Sequence, residues 1–163
     1  MNPDDLAVFR GARLLLLLSV AAEEAPDALD TERLGSYDFL ATHPLLMAAA
    51  PDDPDRLTLR LAGFDDRALA YASAGQRLAT SLTRVHRDLT LLVRAGLVEM
   101  HADGRIRYRL TPEGASAVER LNSGYAESYR LAARIVVRRA RRLSGRKLRE
   151  SLHQWIRWDS HDR

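Results

Sequence analysis

The 163-residue sequence predicts a mainly α-helical chain with one small β-hairpin. Three observations carry this reading. Leu78, Leu82, Val85, Leu89 and Leu92 recur at intervals of four, three, four and three, an apolar stripe of helical period. The stretch Arg105 to Leu110 alternates strictly and follows Asp103-Gly104, a two-residue turn signal, with Leu97 to His101 as its partner strand. Thr111-Pro112-Glu113 then reopens a helix, with Thr111 as cap and proline at the first position, where a missing N–H costs nothing.

The elements follow in order. A helix over 7–24 has a broad apolar face, with Leu14, Leu15, Leu17, Leu18 and Ala21 central to the core. The nine apolar residues from Leu14 to Ala22 are too few to span a bilayer, which takes about 20. They read as a buried helix rather than a secretion signal, since Asp4 and Asp5 stand where positive charge is expected. A second helix, 31–42, is capped by Asp30 or Thr31 and ends at His43-Pro44. Pro51-Asp52-Asp53-Pro54 reads as a turn, Leu57-Thr58-Leu59-Arg60-Leu61 as a short strand of period two, and 66–73 as a short helix. The striped helix, 76–95, stops at Gly96. After the hairpin, one helix is expected from 112 to about 143, with Gly124 as its weak point, and a last helix over 146–157. The division expected is a domain over 1–120 and a helical extension over 121–163 that docks a partner.

Charge is unevenly placed. Residues 1–66 carry 5 basic and 13 acidic side chains, whereas residues 120–163 carry 12 basic and 4 acidic. An acidic front and a basic rear imply different partners, or one end docking on the other. Lys147 is the only lysine. Absence of cysteine excludes a disulfide framework, a thiolate zinc site and a cysteine nucleophile.

No catalytic constellation stands out. His43, His86, His101, His153 and His161 lack metal-ligand spacing, and the glycines form no phosphate loop. The expectation is a binding or assembly protein without enzyme activity, cofactor or metal. The arginine faces are the functional signal that remains. Arg77, Arg84, Arg87 and Arg94 share one side of the striped helix, interrupted by Asp88 and Leu91. Arg105, Arg107 and Arg109 form a ridge on the hairpin. Guanidinium forks suit phosphates, so Arg84, Arg87, Arg105, Arg107 and Arg109 are candidate DNA contacts. Five arginines between Arg134 and Arg142 surround the helix there. Leu91, Arg138, Arg139, Arg141, Arg142, Trp155 and Trp158 are candidate partner contacts, since large apolar and arginine side chains commonly anchor interfaces.

The string Ala95-Gly96-Leu97-Val98, Asp103-Gly104-Arg105 and Tyr108-Arg109-Leu110-Thr111-Pro112-Glu113-Gly114 resembles winged-helix domains. The expected fold is thus a winged helix followed by a long helix and a short C-terminal one. Over nearly its whole length the chain is also similar to the middle component of ABC-three-component systems. Arg13-Leu14-Leu15-Leu16-Leu17-Leu18, Leu34-Gly35-Ser36-Tyr37-Asp38-Phe39-Leu40, Arg84 to Val98, Tyr125-Ala126-Glu127-Ser128-Tyr129 and Leu148 to Trp155 carry that resemblance. It implies a cytoplasmic, non-enzymatic subunit beside an SMC-like or Rad50-like ABC ATPase and an effector, as in Lamassu antiphage defence, with nonspecific DNA as a further partner and no membrane. The competing reading is a free winged-helix transcriptional regulator.

Overall fold

The computed structural model describes residues 5–25, 29–67 and 69–161, and of residues 69, 70 and 158–161 the backbone alone. It is mainly helical with one two-stranded antiparallel sheet. Helix α1, Ala7–Glu24, lies at the centre: Leu14 to Leu18 are all buried, so no side of this helix is left to solvent along the leucine run. Helix α2, Thr31–Thr42, begins where the Asp30 side chain accepts from the Arg33 N–H at 2.8 Å. A 3-10 turn, Pro44–Leu46, follows and is buried.

The strand expected at 57–61 is instead helix α3, Pro54–Leu61, started by the Asp53 carboxylate on the Asp55 N–H with Pro54 in the first turn. Period two misled here because Leu59 alone is buried, while Leu57 and Leu61 face solvent. Four of the next residues form α4, Leu69–Ala72, and α5, Ala74–Arg94, carries the leucine stripe. Leu78, Val85, Leu89 and Leu92 of that stripe are buried, and Leu82 lies at its edge, 37% exposed. Gly96, at φ +75°, ends the helix in the left-handed region that glycine adopts without steric penalty.

Strands β1, Val98–Ala102, and β2, Ile106–Leu110, pair in the register Val98↔Leu110 to Ala102↔Ile106. The connecting loop is three residues rather than the two-residue turn expected. Ala102 still pairs with Ile106, and the Asp103 N–H donates to the Arg105 carbonyl at 3.1 Å, with Gly104 at φ +70°. Leu29, just before α2, forms a one-residue antiparallel bridge to Tyr108.

The single helix expected over 112–143 is two. Helix α6, Pro112–Glu119, ends in a tight turn, and α7, Gly124–Ala140, restarts with the Ser123 hydroxyl accepting from the Ala126 N–H at 3.2 Å. The break has a packing cause. Helix α6 stays with α1 and β2, whereas α7 packs on both α1 and α2. Its Ala132, Ala133, Val136 and Val137 are fully buried in the same hydrophobic cluster as Leu17, Leu34 and Leu40. The core is therefore continuous across residue 120. Small side chains at Ala132 and Ala133 allow the helices to approach, and a larger residue there would have to displace a packed neighbour. The last helix, α8, Gly145–His161, buries Leu148 and Leu152 and reaches the 3-10 turn. No helix among the described residues is long and apolar enough to cross a membrane.

Two glycines set close approaches. At Gly35 of α2 an added Cβ would lie 3.1 Å from Leu82 and 3.2 Å from Val85, and Ser81 Oγ donates to the Gly35 carbonyl at 3.2 Å. At Gly114 an added Cβ would fall 2.0 Å from the Leu97 carbonyl oxygen. That carbonyl also accepts from the Thr111 N–H, and the Thr111 hydroxyl donates to the Gly96 carbonyl at 2.6 Å. The Gly96-Leu97 and Thr111-to-Gly114 strings are thus one clasp at the base of the hairpin.

Candidate functional site

The arginines expected to share one face of α5 divide into two sets. Arg87 and Arg94 are exposed. Arg84 turns toward the start of α1, 3.5 Å from Asp5, and Arg77 donates to the Ser73 hydroxyl at 3.0 Å. Leu91 is 47% exposed beside Arg87, as an apolar residue in a basic surface. Asp88 does not interrupt that surface. It is buried and takes both forks of Arg10, at 2.7 and 3.1 Å, which ties α1 to α5. A helix of 3.6 residues per turn explains the division, since positions 77, 84 and 88 turn toward α1 while 83, 87, 90 and 94 turn away.

On the hairpin, Arg105 stands exposed in the loop and Arg107 is half-buried. Arg109 donates to the Glu99 carboxylate at 2.5 Å, directly across the ladder, and His101 lies 3.2 Å from the same carboxylate. The hydrogen bond from Arg109 first, and the neighbouring His101 ring next, hold the Glu99 carboxyl below its usual range. The ridge expected from the alternating arginines therefore has an acid within it, and Arg109 is already engaged.

The rear arginines mostly meet the chain's own acids and carbonyls. Arg139 pairs with Asp53 at 2.6 Å and Arg138 with Asp55 at 3.1 Å, which fastens α3 onto α7. Arg141 donates to the Glu24 carbonyl at 2.7 Å, at the negative end of the α1 dipole. Arg149 of α8 reaches Glu32 at 3.0 Å. Arg134 and Arg142 face solvent. The acidic front and basic rear thus dock on each other within the chain. Trp155 is half-buried and packs on the core cluster. The Trp158 side chain lies outside the described residues.

Sequence reasoning missed the buried polar network. Arg13 donates through Nε and Nη2 to the two oxygens of Asp38, at 3.1 and 3.2 Å, and the Tyr129 hydroxyl donates to Asp38 Oδ1 at 2.7 Å. All three residues are buried, on α1, α2 and α7. Burial first, and the neighbouring Asp38 charge next, push the Tyr129 hydroxyl well above the usual tyrosine range. Burial works against the Arg13 charge, but Asp38 more than offsets it, and the guanidinium stays protonated at all accessible pH. A signal did exist: a charged residue inside each of two apolar runs, Arg13 before five leucines and Asp38 between Tyr37 and Phe39. Such residues are retained in a core when they are paired. A second cluster lies on the 3-10 side. The buried His43 ring stacks on Phe39 with centroids 4.7 Å apart and meets Tyr71 edge-on at 5.2 Å.

Above these pairs opens a cleft of about 290 Å³ between the first turns of α1, the end of α2 and the N-terminal half of α5. Arg77, Arg84, Ser81 and Thr80 stand at its α5 side, with Arg10 and Arg13 beneath. Among the described residues no group of three His, Asp or Glu side chains is placed to hold a metal ion.

The family model for the ABC-three component (ABC-3C) system Middle Component 2 matches residues 74–160, from the start of α5 into α8. No curated protein and no solved structure matches.

Proposed function

We propose that this chain, which belongs to the Middle Component 2 family of ABC-three component systems, is a non-catalytic subunit that couples an SMC-like or Rad50-like ABC ATPase to an effector in a Lamassu-like antiphage defence complex. One observation carries the reading. The family match covers the continuous unit of α5, the hairpin, α6, α7 and α8, and that unit presents a basic surface with Leu91 exposed in its middle. An exposed leucine with Arg87 and Arg94 beside it on the helix suits a protein partner, because burying it releases water while acidic groups of the partner can meet the flanking guanidinium groups.

Element order supports a winged-helix reading of the fold. Helix α1, the single bridged residue Leu29, α2, α5 and the hairpin follow in the sequence such a domain requires, with 43–73 as an insertion before α5. The Tyr108 N–H donates to the Leu29 carbonyl at 3.2 Å, which adds a one-residue third strand at the hairpin edge. In this reading Arg87, Arg105 and Arg107 make nonspecific backbone contacts to DNA within the assembly, and the site of action is the cytoplasm. Arg84 and Arg109 contribute less, since each is paired within the chain.

Co-expression with the cognate SMC-like or Rad50-like ABC ATPase tests the proposal. The expected outcome is one complex on gel filtration that contains this chain. Two separate peaks at micromolar concentration, or a tight complex of the lone chain with one operator at physiological salt, would overturn it in favour of a free regulator.

A further inference from the structure

We infer that the outer edge of β1 is a dimerisation surface, and that its partner is the same strand of a second copy of this chain. Strand β2 is paired on both sides, with β1 along one edge and with Leu29 at Tyr108 on the other. Strand β1 is paired on the β2 side, and among the described residues no other segment pairs with its outer edge. The Tyr108 N–H points away from β1, since it donates to the Leu29 carbonyl at 3.2 Å. Met100 stands directly opposite Tyr108. In an antiparallel ladder the two residues of such a pair turn their main-chain groups away from each other. The N–H and C=O of Met100 therefore point out from the open edge.

This edge lacks the devices that blunt edge strands. Val98–Ala102 contains no lysine, proline or glycine, and its register with β2 runs without a bulge. Its side chains fit a copy of themselves. With a two-fold axis at Met100, antiparallel pairing sets Met100 against Met100 and Glu99 against His101, once on each side of the axis. Both polar side chains are accessible, Glu99 42% and His101 41% exposed. The carboxylate has room to keep its bond from Arg109 and accept from the imidazole N–H of the second copy. The opposite face of the strand is apolar. Met100 is 54% and Ile106 51% exposed, on the same side of the ladder as the buried Val98 and Tyr108. Ala102, opposite Ile106, is small enough for Met100 of the second copy to lean across it.

Val98 is buried and ends the accessible edge, so the ladder is short. It consists of main-chain bonds at Met100, two flanking polar pairs and the methionine contact. So small an interface makes a weak dimer, with a dissociation constant on the order of micromolar or higher. A strand of another protein would satisfy the Met100 main chain equally well. The paired Glu99 and His101 contacts favour a second copy, because β1 supplies both halves of each. The inference stands apart from the ATPase reading.

Sedimentation of the full chain alone is the test. A concentration-dependent dimer is expected at ~100 μM. Met100→Lys sets like charges against each other at the axis and should weaken dimerisation about tenfold or more. It should keep the fold, since the Met100 side chain is 54% exposed. His101→Glu sets acid against acid and should weaken the dimer too, whereas adding Glu99→His to that variant should restore it. The chain has no cysteine, so oxidised Met100→Cys should give a disulfide-linked dimer that Leu57→Cys, at a 66% exposed position on α3, does not. A monomer at ~1 mM, a dimer unchanged by Met100→Lys, no rescue by the exchanged pair, or equal cross-linking through Leu57→Cys would each overturn the assignment.

Discussion

The Tyr129 hydroxyl donates to Asp38 at 2.7 Å, and the same carboxylate holds both forks of Arg13. One buried acid therefore joins α1 and α2, which follow each other in the chain, to α7, 91 residues beyond Asp38 at Tyr129. The arrangement specifies how they dock, because any other rotation of one helix would leave a charge unpaired in the core.

Removing the acid should be the most damaging single change to this network. Asp38→Ala removes the carboxylate that balances the buried Arg13 guanidinium, at a cost of about 3–5 kcal/mol. Tyr129→Phe deletes one neutral donor and should cost about 1–2 kcal/mol, chiefly the missing bond to the carboxylate. Urea unfolding of both variants checks the ranking, and equal losses would contradict it.

Gly114→Ala places a methyl group where the Leu97 carbonyl oxygen now sits. Hairpin and α6 must then separate, with a loss of about 1–3 kcal/mol or more. Gly124→Ala, where an added Cβ meets nothing, should be neutral or slightly stabilising. A thermal melt of the pair separates a packing effect from a general glycine effect.

The clasp between α3 and α7 should weaken in acid. Burial acts to raise the Asp53 carboxyl, but the bonds from Arg139 and from the Asp55 N–H prevail and hold it below its ordinary 3.8. A depressed carboxyl contributes stability that is fully present above the unfolded value and is lost as pH falls through the folded one. Asp53→Asn keeps the helix cap and removes the charge. The stability difference between wild type and Asp53→Asn should therefore be constant at neutral pH and shrink below about 4, as read from melts across that range.

Alanine at Arg105, Arg107 and Arg109 together should weaken DNA binding on every sequence alike. It should also flatten the salt dependence by roughly one unit for each phosphate that is no longer neutralised. Arg109→Ala alone should do less than Arg105→Ala, because Glu99 already holds Arg109. Fluorescence anisotropy over a salt series measures both.

Leu91→Asp should leave the fold intact, since the side chain is 47% exposed, and abolish co-elution with the ATPase. The change removes the apolar contact of this face and puts there a carboxylate that docking would have to desolvate, at a cost of about 1–3 kcal/mol or more. Co-elution retained by a folded Leu91→Asp variant would move the interface away from α5.

Elements whose signals are local were readable from the amino-acid order alone. Asp30, Gly96, Asp103-Gly104 and Thr111-Pro112 each act within one turn of chain, and α1, α2, α5 and the hairpin lie where they point. The leucine stripe of α5 was legible for the same reason. Features that depend on groups distant in sequence emerged only from the packed fold. Leu57-Thr58-Leu59-Arg60-Leu61 alternates like a strand; its helix has a local start at Asp53-Pro54 that the alternation masked, and Arg138 and Arg139, distant in sequence, hold it down. The break between α6 and α7 follows from two packing surfaces that no single straight helix could satisfy. The candidate site divides in the same way: a row of arginines is readable in a sequence, but which of them hold an acid is not. Asp5, Glu99, Asp53 and Asp55 decide that from elsewhere in the fold, by pairing with Arg84, Arg109, Arg139 and Arg138; Arg87, Arg105 and Leu91 are exposed.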